Sequence, residues 1–168
     1  MPLPSDWVQL RKGRAVDAPV IAALLREMVD ELGGALDHVS TEADILSHGF
    51  GPDRQFHVVL AEDAGTPVGM VIYFFNYSTW TARLGVYVQD IHISRSKRGT
   101  GLGRRLIAAA ARAGKQKGAT HLRLSVEPDN EAAQRFYLQL GLAQRTDELI
   151  FQTSRRVFDD LSAGGEHV

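Results

Sequence analysis

Between Ser94 and Ile107 the chain reads SRSKRGTGLGRRLI, with Gly99, Gly101 and Gly103 set between Arg98 and Arg104. Glycine lets a backbone approach a ligand closely and take conformations that side chains forbid. Successive amides can then point at one spot, and a helix starting there adds unpaired donors and the positive end of its dipole. That arrangement binds a diphosphate without a metal, and Arg98 and Arg104 can add charge-assisted bonds. Two other phosphate loops are excluded. A Walker loop closes its glycines with Lys and then Ser or Thr, whereas Gly103 is followed by Arg104 and Arg105. A dinucleotide fingerprint, G-x-G-x-x-G/A, fails because its third position falls on Arg104 or Leu106. What remains is Arg98-Gly99-Thr100-Gly101-Leu102-Gly103. The plain alternative is a glycine-rich turn into a helix.

A second group is Asn130-x-x-Ala133-x-x-Phe136-Tyr137-x-x-x-Gly141. Asn130 is first of all a helix N-cap. Tyr137 can face a cleft while Phe136 packs; the alternative is an amphipathic core tyrosine. An unperturbed tyrosine titrates near about 10 and so holds a proton to donate at neutral pH. Glu27, Asp30 and Glu31 form an acidic patch that can attract a cation or simply be a solvated face. Tyr77 and Trp80 offer a cation a π-face, or a dimer contact. His38, His48, His57, His92 and His121 lack metal-ligand spacing, so no metal is expected. Only His92 stands beside the strand that leads into the glycine loop.

The elements that position these groups are legible in outline. The chain has 168 residues, a net charge of −1 and no cysteine. One domain is expected over 1–168, with a core of about 8–158 and a frayed tail at 162–168. The charge balance excludes a global field for nucleic acid or anionic membrane, and the missing cysteine excludes disulfides, thiolate metal sites and a cysteine nucleophile. No signal pattern and no apolar run of roughly 20 residues is seen, so a cytoplasmic place is expected. Strands are predicted at Val8–Arg11, Phe56–Glu62, Val68–Phe75, Leu84–Ile93, His121–Val126 and Glu148–Thr153. Helices are predicted after Asp17, Thr41, the glycine loop, Asn130 and Ser154. The DAGT turn pairs the second and third strands antiparallel. Mixed α/β (α+β) architecture follows.

With these motifs in this order, the chain resembles the GNAT (N-acetyltransferase) superfamily, whose hallmark is Arg/Gln-x-x-Gly-x-Gly/Ala after the fourth strand. Within it, the stretches HGFGPDRQFHVVLAE, FFNYSTWTARLGVYVQDIHISRSKRGTGLGRRLI and NEAAQRFYLQLGL look like the polyamine (spermidine/spermine) and thialysine acetyltransferase branch. The likeness covers roughly Val8 to Phe158. It implies a mixed sheet of about six to seven strands, antiparallel in its N-terminal half, flanked by about four helices. It also implies acetyl-CoA as donor, with the diphosphate on the amides of Arg98, Gly99, Thr100, Gly101, Leu102, Gly103 and Arg104. The pantetheine arm would pair with the backbone of Ile91 and Ile93, the Ile91 amide serving as an oxyanion donor. Asn130 and Phe136 would contribute to the cofactor site and Tyr137 would be the general acid. A homodimer is implied as well.

The chain also departs from that branch. Its Leu-Glu-Asp triplet is here Val88-Gln89-Asp90, and Gln89 accepts no proton at useful pH. Adjacent strand residues face opposite ways, so Asp90 does not simply replace the lost glutamate. The base is left among Asp90, Glu127 and a water relay, with a structural hydrogen bond as the alternative role for Asp90. The expected activity is transfer of acetyl to the primary amine of a polyamine or a lysine- or thialysine-like amino acid. Glu27, Tyr77, Trp80 and Gln89 are the candidate acceptor residues. The alternatives are another amine (an antibiotic, another amino acid, a protein N-terminus) or a non-catalytic CoA-binding regulatory module.

Overall fold

The computed structural model describes residues 8–34 and 39–164; His38 and the last residues of the predicted tail lie outside them. The described residues fall into two compact units divided between Glu127 and Pro128.

The first unit holds strands β1 (Val8–Lys12), β2 (His57–Asp63), β3 (Thr66–Ser78), β4 (Arg83–Ile93) and β5 (Ala119–Leu124), and helices α1 (Ala18–Glu31), α2 (Glu42–Phe50) and α3 (Leu102–Gln116). They form one sheet in the order β1-β2-β3-β4-β5. The first three pairings are antiparallel, and β4 pairs parallel to β5 across α3. The predicted tight turn is present: Ala64 and Gly65 both take positive φ, the twist that a two-residue hairpin needs.

Hydrophobic spacing decides which face each helix covers. Ile21, Leu24 and Leu25 of α1 and Ile45 of α2 bury against Val58, Leu60, Met70 and Ile72 on one face of the sheet. Leu102, Leu106, Ile107 and Ala110 form the buried stripe of α3, whose contacts are with the strands. Thr41 caps α2 as expected, its Oγ1 accepting from the Asp44 amide. Asp17 does not cap α1 with its side chain. Arg11 captures that carboxylate through two bonds of 2.7 and 2.8 Å and also reaches Glu62, while Asp17 accepts the Arg14 amide. A guanidinium fork outcompetes a helix-start amide for the same oxygens.

The second unit carries α4 (Glu131–Gln139) and α5 (Arg155–Ser162). Asn130 and Ser154 cap them as predicted, accepting from the Ala133 and Val157 amides. The strand predicted at Glu148–Thr153 is absent. Leu149, Ile150 and Phe151 are irregular and 82 to 90% exposed. Strand preference is realised only where a ladder and a packed face exist. Just ahead of this segment, Arg145 folds onto Asp147 in a local two-bond pair. The sheet therefore has five strands among the described residues, not six to seven, and the α-helices number five rather than four.

Candidate active site

The site begins where two parallel strands part. β4 pairs with β5 only from Leu84 to Val88, yet it pairs with β3 on to Ile93. At the parting, Tyr87 Oη and Ser125 Oγ lie 2.7 Å apart. Within the β3–β4 ladder the register slips at Gln89, which is left as an extra residue in β4. Such a bulge bends its strand and re-aims the side chains beyond it. Past the bulge, the Ser94 amide donates to Val68 on β3. Alternation along an antiparallel strand then turns the amides and carbonyls of Ile91 and Ile93 the other way, onto the edge that β5 has left. The result is a short stretch of strand edge inside a sheet.

That edge runs into the glycine loop. Gly99 and Gly101 have φ of +74° and +82°, and an added Cβ would meet nothing within 4 Å at either. Backbone handedness, not crowding, is what requires glycine here. Gly101 is the N-cap of α3, and the first intrahelical bond runs from the Arg105 amide to the Gly101 carbonyl. The Leu102 and Gly103 amides precede that bond and have no intrahelical acceptor, so they suit an anion.

The loop's cations are spent elsewhere. Arg98 donates through Nε to the Ile93 carbonyl at 2.9 Å and through its other end to Glu31, which Arg95 also holds. Lys97 pairs with Asp63, and Thr100 Oγ1 donates to the Lys97 carbonyl. Arg105 reaches the Val8 carbonyl at 2.6 Å. Arg98 is thus a brace between α1, β4 and the loop. It holds the Glu31 carboxyl below the usual carboxylate range.

On the face covered by α1, Ile72 pairs with Asp90 and Met70 with His92, so Asp90 and His92 share that face. Asp90 is half-buried, and burial raises its carboxyl above the ordinary value with no partner contributing. Gln89 at the bulge is exposed. Glu27 stands on α1 with its Oε2 3.3 Å from His92 Nε2. It also lines an open cleft of about 750 Å³ together with Arg26, Asp30, Glu31 and Arg95. In the second unit, Phe136 and Tyr137 have ring centroids 5.2 Å apart, and burial raises the Tyr137 phenol above its usual value. Gly141, at φ +91°, follows the end of α4.

A profile of the family described as Acetyltransferase (GNAT) matches residues 22–142. The chain belongs to this family. Thialysine N-epsilon-acetyltransferase of Bos taurus is 32% identical over 150 residues, which cover 84% of this chain and 87% of the relative. Spermidine/spermine N(1)-acetyltransferase-like protein 1 of Homo sapiens is 27% identical over 151 residues, 85% of this chain but only 21% of that longer protein. Among solved structures, the aminoglycoside N-acetyltransferase AAC(6')-Iy in complex with CoA superposes with a TM-score of 0.72 at 21% identity, covering 92% of this chain and 99% of that one. The fold and the polyamine/thialysine branch resemblance read from the motifs therefore stand, and the protein is an acetyltransferase.

Within this GNAT chain the structure gathers Ile91, Ile93 and the loop from Arg98 to Arg104 along one edge, and Glu27 and Asp90 on the α1 face. Tyr77 and Trp80 are elsewhere. Tyr77 lies five residues along β3 from the partner of Asp90, about 16 Å of strand, and Trp80 is 98% exposed in the turn beyond. His57 stacks on Tyr73 with centroids 5.4 Å apart, and burial foremost lowers its pKa. Sequence reasoning missed the Glu31–Arg98 brace and the Glu27–His92 approach. The available signal was the four-residue spacing of Glu27 and Glu31, which puts both on one face of α1.

Proposed function

We propose that this acetyltransferase takes acetyl from acetyl-CoA and passes it to the primary amine of a small cationic acceptor, a polyamine or a lysine- or thialysine-like amino acid. The observation that carries the reading is the β4 edge at Ile91 and Ile93, left without a strand partner by β5, running straight into the left-handed glycines. That edge suits the amide-bearing pantetheine arm, which can hydrogen-bond to it as a short strand. The Leu102 and Gly103 amides, with those of the rest of the loop, take the diphosphate. The relatives' names favour a lysine-like or polyamine acceptor.

The reaction is direct attack in a ternary complex. The ammonium loses a proton, the amine nitrogen forms its bond to the thioester carbon, the C–S bond breaks, and the nitrogen's second proton replaces the one the general acid gives to sulfur. The products are the N-acetyl amine, CoA thiol and one proton. The Ile91 amide donates to the developing oxyanion. Asp90 takes the ammonium proton; its raised pKa makes it a stronger base than an exposed aspartate. Tyr137 is assigned as general acid to the thiolate on the family likeness, supported by a phenol that burial keeps protonated at neutral pH. Glu27 and Asp30 attract the cationic acceptor, whereas Glu31 is already neutralised by Arg95 and Arg98.

A homodimer and a cytoplasmic place belong to the same proposal. The exposed Leu149, Ile150 and Phe151 supply an apolar surface for a second copy, and no helix among the described residues is long and apolar enough to cross a membrane. The deciding test is thiol release from acetyl-CoA by the purified protein with spermidine, putrescine, lysine, thialysine, aminoglycosides and peptide N-termini. Selective turnover of an alkyl amine of the first four is the expected result. Turnover only with an aminoglycoside or a peptide would overturn the acceptor, and acetyl-CoA binding without release from any amine would point to the regulatory module.

A further inference from the structure

His92 is 3% exposed, yet its Nε2 has no hydrogen-bond partner. A buried ring nitrogen left unmatched is costly, so the position calls for a reason. Glu27 Oε2 lies 3.3 Å from that nitrogen, within ion-pair reach but not aligned as a hydrogen bond. The Glu27 side chain is 42% exposed and borders the open cleft. Two residues before His92, on the same face of β4, stands Asp90. Their Cβ atoms are roughly 7 Å apart at strand spacing, a gap that one water can span. Asp90 and His92 thus follow each other on one face of β4, and Glu27 stands beside His92 at the cleft.

We propose that His92 and Glu27 carry away the proton that the acceptor amine must shed. This rests on the acetyl-transfer reading above. In this role neither is a catalytic residue, because both act through Asp90; the part of Glu27 in attracting the acceptor is separate. The ammonium N–H bond breaks and an O–H bond forms on Asp90. The proton then moves through water to the lone pair at Nδ1 of the His92 ring, whose Nε2–H gives its own proton to Glu27 Oε2, 3.3 Å away. Glu27 passes that proton to solvent, leaving Asp90 ionised, and the ring exchanges back to its Nε2–H form for the next turnover. One proton leaves per acetyl transferred, which balances the reaction. The charged groups around His92 are these: α1 supplies Glu27, with Arg26, Asp30 and Glu31 at the cleft, β4 supplies Asp90, the turn after it supplies Arg95, and β3 opposes His92 with the apolar Met70.

The test is kcat with the best amine between about pH 6 and 10, spanning the imidazole and alkylamine ranges. His92→Gln should lower kcat roughly tenfold near neutral pH, less than the 10²–10⁴ of a direct general base. The loss should fade at high pH, where free amine arrives already neutral, and KM for acetyl-CoA should not move. Glu27→Gln should shift the same limb, and the double variant should be no slower than His92→Gln. His92→Phe separates packing from proton handling: it should melt like the wild type and still lose the neutral-pH rate. A pH-independent loss, or an unchanged profile, overturns the proposal. The nitrogen-15 chemical shifts of the His92 ring in the free protein add a readout that needs no turnover. Glu27→Gln should move the Nε2 shift. If no amine is acetylated, the acetyl-transfer reading fails on that ground alone. An Nε2 shift indifferent to Glu27 would independently sink the His92–Glu27 couple.

Discussion

The two sides of β4 recognise by different means. The edge abandoned by β5 offers backbone: the amides of Ile91 and Ile93 and the Ile91 carbonyl, then the helix-start amides behind Gly101. The face under α1 offers side chains: Asp90, His92, Glu27 and Asp30, with Glu31 withdrawn into a brace. A backbone site is fixed by strand register and by the handedness of two glycines, so few substitutions alter its chemistry. A side-chain site changes with each residue.

The sharpest way to break that contrast is to remove chemistry from the face and leave the edge alone. Asp90→Asn should cut kcat by roughly 10²-fold or more, the range of a positioned general base, while the acetyl-CoA dissociation constant stays within twofold of wild type, the scatter of about 0.4 kcal/mol. Steady-state kinetics with equilibrium binding checks both. A comparable kcat with Asn would move the base to Glu127 or to water.

The converse substitution strikes the edge. Gly101→Ala places a Cβ at φ +82°, a conformation costing about 1–2 kcal/mol for an L-residue. The loop should relax away from that geometry, weakening acetyl-CoA binding about tenfold. The amine KM should not change. Calorimetric titration of acetyl-CoA tests this, and unaltered affinity would separate the loop from the diphosphate.

The brace joins the two sides, and its effect should be smaller. Glu31→Gln removes the anion that holds Arg95 and Arg98. Exposed pairs contribute little, about 0.2–1 kcal/mol each, so KM for acetyl-CoA should rise only a few-fold. The sign with pH follows from the depressed Glu31 carboxyl. Its contribution is present above the ordinary carboxylate value and is lost as pH falls through the lower, folded value. Wild type and variant should therefore converge in acid.

The same contrast explains what the sequence revealed. The glycine loop was legible because φ beyond the reach of other residues leaves a mark in residue type. The helix caps at Thr41, Asn130 and Ser154 were legible for a similar local reason. The strand at Glu148–Thr153 was misread because LIF has the composition of a strand, whereas a strand needs a neighbour that composition does not name. Asp17 was misread as a side-chain cap because its competitor, Arg11, arrives from another element. The bulge at Gln89 was invisible for the same reason: it exists only against the register of β3. It also undoes the argument from strict alternation, since a bulge resets which face the following residues take.

The smallest expected effect concerns stability, and it tests whether the face is built for function at the expense of the fold. Burial raises the Asp90 carboxyl in the folded chain. The folded state therefore holds a proton that the unfolded chain has already released, and stability falls as pH rises from the unfolded value through the folded one. Asparagine carries no such proton. Asp90→Asn should melt close to the wild type near about pH 4, where an unfolded aspartate is half protonated, and should become the more stable of the two as pH rises to neutrality. The gain should then level off. A variant less stable than wild type at neutral pH would mean that the carboxylate is held by favourable contacts, and Asp90 would be a structural residue rather than a desolvated base.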